Sequence, residues 1–452
     1  MMATHRAVLI FFCAASTLPA SPILTLPAGV PAGSLTVSTY ATGLSFPDSM
    51  QVLSNGSLLV GVSTPTAAND FLSSSGGLVQ IASAGAAPTT VLSGLPYPVQ
   101  SVRSITNNLI AVSEAGTGGT QIAFLSPGAT ASSPYTNLGA INISPSNAGE
   151  IFNITLATRP TPGQPGSYDL FFSMNGDTDH TQSTNFATLG GLSSGNLPYN
   201  TIGMVTVTPT AGAPIVSPVT EIADGLRNTD GLVFDSSGNL YLNDNGWDVP
   251  NTTTPQSADE LNFLAASAIG NGIADFGFPN NYIAYGTGTF VGGQDIPPLA
   301  AFQPLNGVQS LGVAEMALAP ADFPVGLNDG LFITFYGVWE QGGVNNTTGP
   351  LVYYSFATGQ YEDIILPGQP GIGHIDSITS TANALFIGDM NSTGQIRSGP
   401  QDGVIYEIQA TAPEPATLDL ILFSACLFAV VVLGKRIYAR FHNLPSLDRL
   451  RR

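Results

Sequence analysis

The densest structural pattern in this chain lies at residues 225–279, GLRNTDGLVFDSSGNLYLNDNGWDVPNTTTPQSADELNFLAASAIGNGIADFGFP. Its first half alternates apolar residues with others on both sides of a short polar turn, Asp235 to Asn239. Alternation with a period of two is typical of β-strands that bury one face, and a tight polar turn joins such strands. The pattern therefore predicts a β-hairpin at residues 232–242.

The second half of the same stretch is rich in oxygen-bearing side chains. Residues 243–248 are NDNGWD, and Asp259 and Glu260 follow in the same loop region. Carboxylates, carboxamides and backbone carbonyls are the ligands that calcium prefers. These residues predict a loop that holds a hard cation, and a solvated acidic loop without metal is the alternative.

Weaker copies of the hairpin pattern recur along the chain. Six copies are found, and they begin at Gly43, Gly94, about Gly149, Gly225, about Leu311 and Gly371. Segments such as 203–207 and 351–356 lie between the copies and are suited to the outer strands of four-stranded units. No helical period is sustained between residues 21 and 410. We therefore predict an all-β, six-bladed β-propeller at residues 21–410, with a pair of β-sandwiches as the alternative architecture.

The ordered motifs of the first stretch resemble the glucose/sorbosone dehydrogenase family, six-bladed propellers that use pyrroloquinoline quinone (PQQ) and calcium. The motifs are Gly225-Leu226-Arg227-Asn228, Asp244-Asn245-Gly246, Asp259-Glu260-Leu261-Asn262 and Asp275-Phe276-Gly277-Phe278-Pro279. The resemblance implies that Arg227 and Asn228 contact the quinone. It also implies that the carbonyls of Gly246 and Trp247 and the side chains of Asp259 and Glu260 bind calcium.

Three aspartates occupy the same position in their copies, five residues after the opening glycine: Asp48, Asp230 and Asp376. Equivalent positions of different blades converge on the central channel, so these carboxylates are expected to face one axial ligand. Capping of the preceding turn by each aspartate is the alternative. Residues 229–240 also look like the metal-binding hairpin of senescence-marker-type lactonases, in which the residue matching Asp230 binds the metal.

The groups that quinone chemistry needs are sparse in this sequence. The third copy opens with residues 146–150, SNAGE, where the resembled family has a histidine. Residues 336–341, YGVWEQ, have an acid and an amide where that family has a cation. Only Arg227 matches an anion-binding cation of the family, so a cofactor with three carboxylates would lack charge compensation.

Two histidines lie between residues 21 and 412, His180 and His374. A histidine can act as a general base near neutral pH. His180 follows a predicted strand end and has Asp177 and Asp179 beside it, which makes it the candidate base; a surface histidine is the alternative. Three functions stay open: a diverged quinoprotein sugar dehydrogenase, a non-catalytic glycan- or envelope-binding propeller with structural calcium, and a metal-dependent lactonase.

Both ends of the chain have targeting patterns. Residues 1–20 combine a basic patch, an apolar run and small residues before position 21, which predicts a secretory signal peptide. Residues 411–452 contain Pro413-Glu414-Pro415, an apolar run at 418–434 and then Lys435 and Arg436, which predicts a transmembrane helix with a cytoplasmic basic end. This order resembles the PEP-CTERM sorting signal, which implies an exosortase-type partner; a plain C-terminal anchor is the alternative.

The composition agrees with export and excludes one class of partner. Both cysteines, Cys13 and Cys426, lie in the terminal segments, so the central part depends on no disulfide. Of the 11 basic residues only four arginines lie between residues 21 and 412, against 27 of the 30 acids. Nucleic acid is excluded as a partner, since its binding requires clustered cations. We expect an exported protein that is attached to the membrane through its C-terminal helix and meets carbohydrate or envelope components.

Overall fold

The computed structural model describes residues 21–65, 74–128, 134–144, 153–247, 257–285, 287–293, 296–303, 312–337, 350–391 and 402–411. These ranges contain thirty β-strands and no α-helix. No helix of a length and hydropathy that could span a membrane occurs in them. The predicted signal peptide and the predicted C-terminal helix lie outside the described residues.

Six β-sheets follow one another along the chain, and each forms one blade. Blade 1 contains β2 (Pro47–Val52), β3 (Leu58–Pro65), β4 (Ser74–Ile81) and β5 (Thr89–Leu95). Blade 2 contains β6 (Val99–Thr106), β7 (Leu109–Gly116), β8 (Gly119–Ser126), β9 (Thr136–Ser144), β12 (Phe186–Gly191) and β13 (Gly195–Pro198). Blade 3 contains β10 (Leu156–Pro160), β11 (Tyr168–Met174), β14 (Thr201–Thr208), β15 (Ile215–Val216), β16 (Thr220–Asp224) and β20 (Ala274–Asp275).

The remaining blades have four strands each. Blade 4 contains β17 (Leu232–Phe234), β18 (Leu240–Asp244), β19 (Asp259–Leu264) and β23 (Ala300–Phe302). Blade 5 contains β24 (Val313–Leu318), β25 (Gly330–Phe335), β26 (Leu351–Ser355) and β27 (Tyr361–Ile365). Blade 6 contains β28 (Ile375–Ser380), β29 (Ala384–Asp389), β30 (Gly403–Ala410) and β1 (Leu35–Leu44), and β21 (Tyr282–Ile283) pairs with β22 (Phe290–Val291) in a separate hairpin.

The six blades close into a ring. The first strand of each blade contacts the first strands of both neighbouring blades, in the cyclic order β2, β6, β10, β17, β24, β28 and back to β2. Blade 6 is completed by β1 from the beginning of the described chain, which pairs antiparallel with β30 from Leu35↔Ala410 to Leu44↔Gly403. The predicted six-bladed propeller is therefore confirmed, and each predicted copy supplies one blade.

The prediction of uniformly four-stranded blades is wrong for blades 2 and 3. Residues 186–198 are an insertion in blade 3, but they form the hairpin β12–β13, which extends blade 2 by pairing with β9. Blade 3 instead gains β20, which runs parallel to β16. The outer edge of a blade presents unpaired backbone groups, and the sequence pattern gives no indication of which edge an inserted hairpin will pair with.

The hairpin predicted at residues 232–242 forms with the expected register. Leu232 pairs with Leu242 and Phe234 with Leu240. The turn between them is held by the carboxylate of Asp235, whose Oδ1 accepts hydrogen bonds from the backbone N–H of Ser237 and of Asn239 at 2.8 and 2.9 Å. Leucines 232, 240 and 242 are buried together against blade 3.

A separate hydrophobic cluster fills each of the six interfaces between neighbouring blades. For example, Leu59 and Leu78 of blade 1 pack with Val102 and Val112 of blade 2. The other interfaces have equivalent clusters. Each blade therefore buries both of its faces against its two neighbours. Backbone hydrogen bonds hold its own strands together, as expected for a ring of repeated units.

Short polar side chains also link the inner strands of neighbouring blades. The N–H of Val102 in blade 2 donates to Oγ of Ser49 in blade 1 at 3.1 Å. The N–H of Leu156 in blade 3 donates to Oγ of Ser101 in blade 2 at 3.2 Å. An inner strand has a ladder on one side only, and these hydroxyls satisfy N–H groups on its other edge.

Replacement of Ser101 by alanine tests this link. Ser101→Ala leaves the buried N–H of Leu156 without its acceptor, so we expect a loss of about 1–3 kcal/mol in the free energy of unfolding. Denaturant unfolding of the purified protein measures it. The exposed Ser144→Ala on β9 is the control and should change stability by less than about 0.5 kcal/mol. Equal effects of the two substitutions would contradict the role of Ser101.

Candidate functional site

The polar residues of interest gather where the inner strands begin, at the end of the axis that we call the upper face. Asp48 and Asp376 occupy equivalent irregularities of the ladder, between Pro47 and Ser49 in β2 and between Ile375 and Ser377 in β28. The same irregularity recurs at Gln100 in β6. A β-bulge of this kind leaves one residue outside the ladder and redirects its side chain. The bulge explains why equivalent side chains from different blades face the axis.

The three predicted axial aspartates are brought together. The carboxyls of Asp48 and Asp376 are hydrogen-bonded to each other, which requires a proton on one of them. Burial, and then the negative charge of Asp376, raise the pKa of Asp48 well above its usual range. The same two causes raise the pKa of Asp230 well above its usual range, which places Asp230 in the same electrostatic cluster.

Side chains rather than turn N–H groups surround the carboxyl of Asp230. Its Oδ1 accepts a hydrogen bond from Nδ2 of Asn153 at 2.8 Å. Its Oδ2 accepts from Nδ2 of Asn228 at 3.2 Å and from Nδ2 of Asn245 at 3.4 Å. These three contacts come from blades 3 and 4, so Asp230 links two blades at the axis.

An ion pair crosses the axis just below the aspartates. Nη2 of Arg103 in blade 2 lies 2.9 Å from Oε1 of Glu315 in blade 5, and Oγ of Ser49 in blade 1 donates to the same oxygen at 2.9 Å. Blades 2 and 5 are three positions apart in a ring of six, so the pair connects opposite sides of the ring. Neither residue was predicted to be functional, because only the closed ring shows that they meet.

Arg227 is fully buried and its guanidinium is paired. Nε and Nη2 donate to Oδ1 of Asp179 at 2.9 and 2.5 Å, and Nη1 donates to the carbonyl of Asn245 at 3.4 Å. Only 1% of the residue is exposed. The backbone N–H groups of Arg227 and Asn228 both donate to Oδ1 of Asp244, at 2.9 and 2.7 Å, and so position the loop.

Asp179 joins Arg227 to the predicted base. Nδ1 of His180 lies 2.9 Å from Oδ2 of Asp179. The imidazole packs against the indole of Trp247 at 5.0 Å between centroids, and that indole packs against Tyr282 at the same distance. Nε2 of His180 and Nε1 of Trp247 are buried atoms without a hydrogen-bond partner in the structure of the described residues. The sequence predicts His180 as the candidate base but does not indicate that Asp179 pairs with Arg227.

Asn228, the second predicted quinone contact, lies inside a hydrogen-bond network. Its Oδ1 accepts from Nδ2 of Asn175 at 2.6 Å while its Nδ2 donates to Asp230. Only 8% of the residue is exposed. Asn228 therefore connects the loops of blades 3 and 4 and presents little surface to a ligand.

The four residues predicted to bind calcium in blade 4 are neighbours. The N–H of Gly246 donates to Oδ1 of Asp259 at 2.7 Å, and the N–H of Trp247 donates to Oγ of Ser257 at 3.0 Å. A Cβ on Gly246 would lie 2.2 Å from the carbonyl oxygen of Ser257, so only glycine fits there. Glu260 accepts the N–H of Ile283 at 3.1 Å. Asp230, the fifth predicted metal ligand, instead belongs to the axial group.

The hydrogen bonds and positive charges near the carboxyls beside this loop do not offset the effect of burial on their pKa. Burial raises the pKa of Asp244 to about 7, against the hydrogen bonds from Arg227 and Asn228 that lower it. Burial, and then the charge of Asp244, raise the pKa of Glu260 to about 8. Both residues line a cavity of about 10 Å³, the size of one water molecule. The oxygen chemistry suits calcium, but among the described residues no three His, Cys, Asp or Glu side chains are grouped so that they could hold a metal ion.

His374 differs from His180 in its surroundings. It is completely buried, and its Nδ1 lies 2.6 Å from the carbonyl oxygen of Tyr336. The backbone N–H of His374 donates to Oδ1 of Asp389 at 2.9 Å. Two segments that the sequence analysis compared with the resembled family, 146–150 and 338–341, lie outside the described residues.

A second set of acids was missed by the sequence analysis. Asp244, Asp389 and Glu114 stand at or near the end of the second strand of their blades, and each accepts N–H groups from the loop that leads into the inner strand of the same blade. These residues take the capping role that was considered for Asp48, Asp230 and Asp376. An acid at the end of the second strand is the sequence signal that could have identified them.

Comparison with known proteins supports the fold. No protein-family model matches the sequence, and no curated protein is significantly similar to it. Among solved structures, a calcium structure of a Trichoderma reesei carbohydrate-active enzyme of family AA12 shares 16% identity over 87% of this chain and 99% of its own, with a TM-score of 0.54. The apo soluble aldose sugar dehydrogenase of Escherichia coli shares 14% identity over 83% and 100%, with a TM-score of 0.52.

A third similar structure is the holo form of the PQQ domain of pyranose dehydrogenase from Coprinopsis cinerea. It shares 14% identity over 86% of this chain and 97% of its own, with a TM-score of 0.52. At such identities the likeness shows a common fold, and activity has to be argued from the site.

The described site does not fit a quinone with three carboxylates. Each arginine in the described ranges is paired with a carboxylate: Arg103 with Glu315, Arg159 with Asp169 and Arg227 with Asp179. A buried anion needs a charged or hydrogen-bonding partner, and the one cation that matches the resembled family is already neutralised. The resemblance in sequence therefore extends to the loop framework but not to the charge of the site.

The axial carboxyl pair predicts how stability depends on pH. Because the folded-state pKa of Asp48 is raised, its contribution is fully present below the unfolded value of about 4 and is lost as pH rises through the folded value. We expect Asp48→Asn to flatten the decline in unfolding free energy with increasing pH above 4, by up to about 1.4 kcal/mol per pH unit. Urea unfolding from pH 4 to 9 measures it.

The exposed Asp322→Asn serves as the matched control for this measurement. It leaves the three axial aspartates in place, so the decline that they cause should remain. If Asp48→Asn and the native protein lose stability in parallel as pH rises, the shared proton between Asp48 and Asp376 is not a feature of the protein in solution.

Proposed function

We propose that this chain is an exported, envelope-associated propeller of the quinoprotein sugar dehydrogenase type that binds carbohydrate and no longer oxidises it. The observation that carries the proposal is the ion pair between Arg227 and Asp179. Asp179 neutralises the positive charge of Arg227, which the resemblance assigns to binding of the cofactor. A ligand of this site is therefore uncharged or cationic.

Carbohydrate is supported by two observations. Structures of the same fold include a soluble aldose sugar dehydrogenase and a pyranose dehydrogenase domain. In this chain, Nε2 of His180 and Nε1 of Trp247 have no hydrogen-bond partner within the described structure, although both atoms are buried. Buried polar groups require partners, and a sugar hydroxyl can donate to the histidine nitrogen and accept from the indole N–H. The cavity beside Trp247 has the size of one water molecule, so a sugar enters only when the surrounding loops move.

The His180 imidazole has a defined role in this site. Its contact with Asp179 at Nδ1 holds the ring and leaves Nε2 for the ligand. Arg227 in turn fixes Asp179 from the other side. Arg227 thus positions a recognition group, and the site needs no cofactor to bind a hydroxyl. Calcium bound near Asp259 and Glu260 would stabilise the loop of blade 4 next to it.

Reconstitution separates binding from oxidation. The purified protein, given PQQ and calcium, is expected to show no dye reduction with a panel of aldoses and no change in the absorbance of added PQQ. Calorimetric titration with neutral sugars is expected to show binding that His180→Ala weakens at least tenfold, because the hydrogen bond to Nε2 is lost. The exposed Gln360→Ala on blade 5 should bind as the native protein does.

Dye reduction that depends on the quinone would overturn the proposal. The E. coli aldose sugar dehydrogenase, treated in parallel, is the positive control for the reagents. Failure of all neutral sugars to bind, with the protein folded as judged by thermal unfolding, would remove carbohydrate as the ligand.

A metal-dependent lactonase is the second candidate, and one contact favours it. Asn153 approaches Asp230 across the boundary of blades 3 and 4, and Oδ1 of Asn153 has no hydrogen-bond partner among the described residues. A carboxylate next to a free amide oxygen offers two hard ligands. Lactone hydrolysis by the same preparation, stimulated by a divalent metal and lost in Asp230→Asn, would favour this function; hydrolysis that is unchanged by metal removes it.

Export and anchoring complete the proposal and rest on the terminal sequences. The predicted cleavage after residue 20 and the Pro413-Glu414-Pro415 motif lead us to propose processing by a signal peptidase and an exosortase-type enzyme. Expression of the full chain in an envelope-forming bacterium should yield a protein that is accessible to protease added outside intact inner membranes. Its mass should correspond to a chain that begins near residue 21; a protein retained in the cytoplasm with Met1 intact contradicts export.

A further inference from the structure

A second cavity lies on the axis below the Arg103–Glu315 pair. It has a volume of about 240 Å³, and all six inner strands contribute to its wall. Side chains that line it include Met50, Gln51, Thr158, Met316, Thr379 and Ser380. We call it the lower axial cavity. This volume is enough for several water molecules or for a small organic molecule.

The ion pair separates this cavity from the carboxyl cluster above. Met50 and Met316 line the cavity, and the residues directly before them, Ser49 and Glu315, hold the guanidinium of Arg103 across the axis. Among the described residues of the cavity wall, Arg103 alone is charged, and Glu315 neutralises it. The cavity is therefore uncharged, and the aspartates of the upper face lie on the other side of the ion pair.

The wall of the cavity is rich in hydrogen-bonding groups that carry no charge. Each inner strand pairs with one neighbour only, so its other backbone edge, with N–H and C=O groups, borders the axis. In the upper half of the ring, Ser49, Ser101 and Glu315 accept N–H groups on such edges. Among the described residues that line the lower axial cavity, a side chain accepts the N–H of Ile378 alone, and that side chain is Glu315.

The hydroxyl side chains Thr158 and Ser380 add acceptors, because their donors are already used. Oγ1 of Thr158 donates to the carbonyl of Ser104 and Oγ of Ser380 donates to that of Leu318, at 3.2 and 2.8 Å. Nε2 of Gln51 donates to the carbonyl of Val52 at 3.0 Å. A hydroxyl has one donor and two acceptor lone pairs, so Thr158 and Ser380 can still accept, while Gln51 keeps one N–H donor and its Oε1 acceptor. Between them, the methionines offer apolar surface.

We propose that the lower axial cavity binds a small uncharged polyol, such as a monosaccharide or a cyclitol. Such a molecule presents several O–H donors, equal numbers of acceptors and C–H faces, which match the acceptor side chains, the strand edges and the two methionines. A carboxylate or phosphate ligand is disfavoured because Arg103 is already paired. This site goes beyond the function proposed for the upper face, and neither site requires the other.

Methionine methyl groups give a probe that is specific for this cavity. The full chain labelled with ¹³C at its methionine methyls is titrated with myo-inositol and with D-glucose, and the signals of residues 50 and 316 are assigned from Met50→Leu and Met316→Leu. We expect saturable shifts of these two signals with at least one polyol. Thr379→Phe, which places a ring in the cavity, should weaken binding at least tenfold.

The controls distinguish this site from the upper face. Thr136→Phe adds the same ring on the exposed strand β9 and should leave the titration unchanged. His180→Ala should also leave the shifts of residues 50 and 316 unchanged, even where it abolishes sugar binding at the upper face. The proposal is overturned if neither polyol shifts the two signals, if Thr379→Phe binds as tightly as the native protein, or if calcium or ammonium ions shift the signals and the polyols do not.

Discussion

Six inner strands surround one axis, and each forms backbone hydrogen bonds with a neighbouring strand on only one side. This constraint shapes the rest of the molecule. Every edge facing the axis carries N–H and C=O groups that need partners, and the ring satisfies many of them with short side chains from the next blade, such as Ser49 and Ser101. Hydrophobic clusters between blades supply the bulk of the packing, but the short polar contacts fix the register of one blade against the next.

The same constraint determines where the acidic side chains lie within a blade. In the bulges of β2 and β28 an aspartate is turned to the axis, where it meets the acids of other blades. At the end of the second strand an acid such as Asp244 or Asp389 lies next to the loop that leads into the inner strand and accepts its N–H groups. The two roles differ only in position within the blade. Burial raises the pKa of both kinds of acid, so a raised pKa by itself does not mark a ligand site.

Most of the fold could be predicted from the sequence. The period-two pattern around residues 235–239 and its six recurrences reflect local physics, since alternating residues must face a core and turns need polar residues and glycine. The equivalence of Asp48, Asp230 and Asp376 could be found because blades repeat. The addition of β12 and β13 to blade 2 could not, because pairing at an outer edge depends on which blade the loop reaches.

The site could be predicted only in part, for a related reason. Motif order located Arg227, Asn228, Gly246 and Asp259, and these residues do form one region. Their partners come from elsewhere: Asp179 lies 48 residues before Arg227, and Glu315 lies 212 residues after Arg103. Sequence patterns report what a segment contains but not which distant acid will neutralise it. In a chain with four arginines among 27 acids between residues 21 and 412, that choice of partner decides whether a cation remains for a ligand.

The scarcity of cations affects the charge of the site but not the framework of its loops. A loop framework is held by backbone geometry, by glycines such as Gly246 that admit a close approach, and by capping acids; none of these needs a free positive charge. Binding of a multiply charged anion does need one, and a buried arginine can compensate one carboxylate well. Once Asp179 pairs with Arg227, the same loops surround a region whose unpartnered buried atoms, among the described residues, include Nε2 of His180 and Nε1 of Trp247. A hydroxyl-bearing ligand satisfies such groups, whereas an added carboxylate would meet further acids.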